Sequence, residues 1–337
     1  MERRTARRRA RFADDVVLEA VRLYVQGLAS YRTLATLLEG RLGRSISRYA
    51  INRWVDEVGA AAKTPVDVSA ELSPPGWGGV LGVDGKAIFV RGEEHCLLIG
   101  VDQATQDVVH ALVLDHESEE GFARLVREAV TVAGYPLKGL VSDAAPPFIG
   151  AHANYFAALP LQLCRIHASR RLDFDIAKAK RSPEAAARAE LKDRVRAVLF
   201  APTYTTARAR LGALVADRGR YDGLSRPRHD TIGALERSFE LYMTHHHLNG
   251  MPADANITEN VIKQLGKKLR LMEGFASLQS AERFSRLLIA CYRFKRFTDS
   301  CRRDDNGRSP LELAGVNPLP ADWLHHTCDH DWQQHST

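Results

Sequence analysis

Between Gly79 and Val90 the chain reads GVLGVDGKAIFV, an apolar strand interrupted by a single carboxylate, Asp84, with Gly85 and Lys86 directly after it. A carboxylate set into a buried strand is costly unless something cationic meets it, most often a metal ion. Two later stretches are built to supply partner acids. Residues 139–143 (GLVSD) form a short apolar strand ending in Asp143, and residues 256–271 form a helix opening with Glu259. Asp84, Asp143 and Glu259 therefore read as one divalent-metal site.

The 337 residues leave room for two or three domains, and 45% hydrophobic content is ordinary for a soluble globular chain. The formal charge of +6 is only moderately basic, so placement matters more than the sum. Arg3, Arg4, Arg7, Arg8, Arg9 and Arg11 crowd the first residues. A second basic run holds Lys263, Lys267, Lys268 and Arg270, then Arg283, Arg286, Arg293, Lys295 and Arg296. Such clusters suit phosphate backbones, although either one alone reads first as a solvated surface or tail. Five cysteines, odd in number and widely spaced, suggest no disulfide framework and fit a reducing compartment. There is no signal-peptide pattern and no apolar run long enough to span a bilayer. The expected location is the bacterial cytoplasm, in association with the nucleoid.

Seven segments are expected. Residues 1–12 are a basic arm, and 13–60 contain three short helices, 16–26, 31–39 and 48–58, with Asp14 or Asp15, Ser30 and Ser47 as caps. Glycine-bearing turns join them, which makes a helix-turn-helix unit. In such a unit the N-terminal residues of the last helix meet base edges, here Arg48, Tyr49, Asn52 and Arg53. Residues 61–78, rich in Pro and Gly, read as a linker. Residues 79–167 give three strands, 80–91, 95–102 and 108–114, joined by tight turns and so antiparallel, then a helix, a strand at 138–142, a helix at 151–158 and a strand at 161–164. That order is the one expected of a ribonuclease H-like fold, an α/β class with a mixed five-stranded sheet. Residues 168–250 read as a helical insertion, 251–300 as the rest of the catalytic domain, and 301–337 as a C-terminal tail.

Phosphodiester chemistry needs an activated oxygen nucleophile and stabilisation of the leaving oxygen, which two hard cations roughly 3.5–4 Å apart provide. Mg²⁺ takes oxygen ligands and keeps several waters, so three carboxylates suffice, and Mn²⁺ substitutes. On the Glu259 helix, Val261, Leu265 and Leu269 form an apolar stripe, while Glu259, Lys263 and Lys267 share the opposite side. Gly266, seven residues after Glu259, leaves room on the carboxylate's own face for a close approach.

Asp84 in VDGK, Asp143 in SDAAPPF, Cys164-x-x-His167 and Asn256-Ile-Thr-Glu259 occur in this order, behind a helix-turn-helix and with a helical insertion before the last. In that combination the chain resembles the DDE transposases of bacterial insertion sequences, closest to the Mutator-like group, over nearly its whole length. The resemblance implies binding of double-stranded DNA at terminal inverted repeats, cutting at the element ends, and strand transfer to target DNA by the freed 3′-hydroxyl. It also implies a homodimer or higher oligomer on DNA. Related enzymes often carry a basic residue where Gly266 stands here, a role left to Lys263 or Lys267, with Lys268 and Arg270 as further phosphate contacts. Cys164 and His167 match the group's Cys-x-x-His pair. Two ligands do not make a structural zinc site, so they are expected to pack and hydrogen-bond near the active centre.

Several rivals have plainer identities. Asp102 starts a turn. Glu236 and Glu240 lack a basic face. His245–His247 read as a helix end, and His325, His326, Cys328 and His330 as part of a flexible tail. Trp77, Trp323 and Trp332 read as packing residues. Two rival functions stay open: a catalytically idle DNA-binding repressor or domesticated transposase, and a ribonuclease H-like nuclease that cuts without joining.

Overall fold

In the computed structural model, which describes residues 12–176, 184–222, 224, 230–300 and 302–328, the Asp84 strand is the middle of a five-stranded sheet. The strands are β1 (Val80–Val90), β2 (Glu93–Asp102), β3 (Val108–Leu114), β4 (Gly139–Ser142) and β5 (Leu161–Leu163), in the order β3-β2-β1-β4-β5. β1 runs antiparallel to β2 and parallel to β4, and β4 is parallel to β5. The β1–β2 hairpin closes on Arg91 and Gly92, both at positive φ, the two-residue turn whose twist matches the strands it joins. All five strands fall where the apolar patterning sets them.

Side chains alternate along β1. Leu81 and Val83 join Leu98 and Val109 in the core on one face. There they meet α5 (Glu119–Thr131), α6 (Pro146–Tyr155) and, further out, the helices α8 (Ala185–Leu199), α9 (Tyr204–Ala216) and α10 (Thr231–Met243). α7 (Arg165–Asp175) leads from β5 into this helical group. The opposite face carries Leu97, Ile99, Val101 and Val108. It is covered by α11 (Asn256–Leu271) and α12 (Leu278–Phe294).

The N-terminal helices α1 (Asp14–Gln26), α2 (Tyr31–Leu42) and α3 (Arg48–Ala61) occupy the expected positions. Ser30 and Ser47 cap α2 and α3. α1 begins differently from expectation: Ala13 is its N-cap without a side-chain bond, and Asp14 and Asp15 lie in the first turn, where their charge complements the helix dipole. The three helices share one core with α11 and α12. Gly59 makes this possible, since a Cβ there would stand 2.8 Å from the Arg283 carbonyl oxygen. The basic arm, apart from Phe12, lies outside the described residues.

Two expectations are overturned. Residues 61–78 are no mere linker, because they contain α4 (Pro65–Leu72). Pro65 sits in the first helical turn, where a missing N–H costs nothing, and Thr64 and Asp67 form a reciprocal capping box. Nor is the described part of the tail loose. It forms α13 (Pro310–Leu313) and α14 (Trp323–Thr327), and Leu311, Trp323, Leu324 and Cys328 are buried in the same core as α12. His326 packs against Phe294, and Trp77 and Trp323 are packing residues as expected. His330 and Trp332 lie outside the described residues.

A buried ion pair joins these layers. Arg293 and Asp107 are both fully buried and bonded through two contacts of 2.7 and 2.8 Å. Arg293 also donates to the Pro65 carbonyl and to Ser69 Oγ, and Trp77 Nε1 donates to Asp107. Removing one partner strands the other charge without water. Arg293→Met should therefore lower the unfolding free energy by about 3–5 kcal/mol in denaturant titration.

Candidate active site

The parallel register fixes where the first two acids meet. Gly82 of β1 lies opposite Val141 of β4, so Asp84 and Asp143, each two residues further on, reach the same edge of the sheet. Asp84 Oδ1 accepts the Gly85 N–H at 2.8 Å, and Asp143 Oδ1 accepts the Ala145 N–H at 3.1 Å. These bonds hold both carboxylates without neutralising either. Burial, then the charge of Asp143, pushes the Asp84 carboxyl up to about 7. A carboxyl raised in this way is the signature of a poorly solvated place with a like charge close by.

The positive group facing them is His167, one turn into α7. Its imidazole is raised to about 9, first by the neighbouring Cys164, with help from the charges of Asp84 and Asp143, against the pull of burial. Cys164 also accepts the Ala255 N–H through Sγ at 3.4 Å. Ala255 is the residue from which α11 starts, so this cysteine ties the end of β5 to the Glu259 helix.

α11 is laid along β1 by close contact. A Cβ on Gly82 would overlap both Thr258 Oγ1 and the Gln103 amide, which are themselves bonded at 2.8 Å. Glu259 follows Thr258, and Gly82 precedes Asp84 by two strand positions, about 7 Å. The Glu259 carboxylate is turned elsewhere. It accepts from Arg170 Nη1 at 2.8 Å and pairs with Lys263 Nζ at 3.2 Å. Burial raises its pKa, but these two cations outweigh that and hold it below the usual carboxylate range. Arg170 was not among the expected site residues. Glu117 was also missed: the residue is exposed as a whole, but its carboxylate is tucked against Gly85 and Cys96, and this local burial and the charge of Asp143 raise its pKa. Its acid-rich turn carries no pattern that would single it out.

Among the described residues, no three His, Cys, Asp or Glu side chains gather into a metal-ligand set. Asp84 and Asp143 alone still have the donor chemistry of a hard divalent cation, with oxygen ligands only and a mutual repulsion that such an ion relieves. The rival Asp102 needs no ion. Its oxygens accept from Gly78, Gly79, Thr105 and Tyr135. His245 is held by Gln162 and lowered to about 4 by burial, which fits a helix end.

On α3, Arg48, Tyr49, Asn52 and Arg53 are all exposed. The Arg48 guanidinium lies 4.8 Å from the centre of the Tyr49 ring and donates to its hydroxyl, while Arg53 pairs with Glu57. On α11, Lys263, Lys267 and Arg270 are exposed. Lys268 is not available to a ligand, contrary to expectation. It is 3% exposed, donates to the Ala29 carbonyl at 3.1 Å, and stands 3.6 Å from the centre of the Tyr24 ring. Burial lowers its pKa to about 8, and it joins α11 to the N-terminal helices.

No protein-family model matches the chain, and no curated protein matches it. Among the described residues no helix is long and apolar enough to cross a membrane.

The Asp84 carboxyl gives a pH test. Its pKa is about 7 folded against an ordinary 3.8, so the stability gained from holding its proton is complete below about pH 4 and lost as pH rises through 7. In metal-free buffer, Asp84→Asn should stabilise the chain at pH 8 by on the order of 1–3 kcal/mol and bring no gain at pH 4. Added Mg²⁺ should raise the melting temperature of the natural chain at pH 8 more than that of the variant.

Proposed function

We propose that the chain is a Mg²⁺-dependent DDE transposase with a ribonuclease H-like catalytic core and a helix-turn-helix reading unit. The observation that carries this is the Asp84–Asp143 pair on adjacent parallel strands, with a helix bearing an acid and a row of cations packed across it. Asp84 and Asp143 would hold the metal, and Glu259, now paired with Arg170 and Lys263, would be the third ligand. Bound Mg²⁺ would supply activation of the attacking oxygen and neutralisation of charge on the leaving one. The chain's own groups do the rest. Lys263, Lys267 and Arg270 grip phosphates, His167 offsets the negative charge of the acids, and Arg48, Tyr49, Asn52 and Arg53 meet the DNA at the terminal inverted repeats. Paired cutting of two ends calls for a homodimer or larger assembly on DNA.

One observation favours a second reading. Glu259 is engaged by two cations rather than by the aspartates. This suits a DNA-binding repressor that never completes the site.

The test is incubation with Mg²⁺ and duplexes taken from the DNA flanking the coding sequence. Nicking and joined products are expected, with Asp84→Asn and Asp143→Asn each reducing both by at least about 10³-fold. Full strand transfer by Asp84→Asn would overturn the proposal. Cutting without joining would indicate a nuclease, and tight binding without metal-dependent cutting a repressor.

A further inference from the structure

Lys86 has no role in the site as described so far, yet its position is unusual for a lysine. It lies two residues beyond Asp84 on β1, on the face covered by α11, opposite Leu97 of β2. It is only half-exposed. Its stem crosses the helix at the one bare position there: a Cβ on Gly266 would stand 3.6 Å from Lys86 Cε. Among the described residues no carboxylate pairs with it.

A half-buried cation with no protein anion is under-compensated. Its neighbours show what it could hold. On α11 the positions 259, 263, 266 and 270 form one straight stripe, successive members rising about 5 Å. Lys263 and Arg270 occupy two of them, and Lys86 fills the space over the third from the strand below. We infer that Lys86 is a substrate-binding residue, the middle cation of a line formed by Lys263, Lys86 and Arg270 that holds the phosphodiester backbone of one nucleic-acid strand as it leaves the Asp84–Asp143 edge. This rests on the DNA reading of the site. The line is continuous with a wider basic groove of about 570 Å³ bordered by Lys267, Lys295 and Arg302.

The experiment measures binding to nicked duplex DNA across a salt series, in an Asp84→Asn background so that cutting does not interfere. Lys86→Met keeps the apolar stem and removes the charge, and Lys86→Gln provides a second variant. Either should bind about tenfold more weakly and lower the salt slope by about one. Adding Gly266→Lys to Lys86→Met returns an ammonium to the same place and should restore affinity and slope, with melting curves unchanged. An unchanged slope in Lys86→Met, or a double variant as weak as the single one, overturns the inference while leaving the DNA reading intact. A parent chain with no affinity for DNA overturns both.

Discussion

The seating of α11 on β1 is the constraint on which the other features depend. Three unrelated groups enforce it. Thr258 fits over Gly82, where any side chain would collide. Cys164 holds the backbone at the helix start. Lys268 ties the far end to the loop after α1 through the Ala29 carbonyl. A helix fixed at both ends and in its first turn cannot slide by a residue without moving all three contacts. That rigidity puts Glu259, Lys263 and Arg270 in a set order over the sheet edge.

Opposing charges then share a small volume. Burial and the charge of Asp143 make Asp84 costly to ionise, and His167 offsets that cost only in part. Glu259 is instead held by Arg170 and Lys263. The pair at the sheet and the salt-linked acid on the helix are balanced in opposite directions, one short of positive charge and the other saturated with it. A divalent cation at the aspartates changes that balance at both places.

Much of this was legible in the sequence, because the strands are apolar runs bounded by turn residues and the tight turns among the first three make them antiparallel neighbours. Asp84 stood out as a lone acid in an apolar strand. The α4 segment was misread because Pro65 looks like a breaker, although Thr64-x-x-Asp67 is a visible helix start. Lys268 had a signal too. It falls seven residues after Val261 and three after Leu265, on the buried stripe, so helical spacing alone argues against a phosphate contact. Arg170 could not be found this way, since 89 residues separate it from Glu259 and only the packing of α7 brings them together. The same holds for Lys86, whose partner is an empty space on another element.

The C-terminal segment closes back onto the start of the chain. Lys63 donates from its backbone to Thr327, Ala62 pairs with Cys328, and Arg22 bonds to Asp322. With Gly59 pressed on α12 as well, the exposed face of α3 is carried on the same rigid frame as the acids of β1 and β4. Under the proposed function this frame works as a ruler: the number of base pairs between the sequence that is read and the bond that is broken is dictated by folded protein rather than by the reach of a tether, and should not vary from one substrate to another.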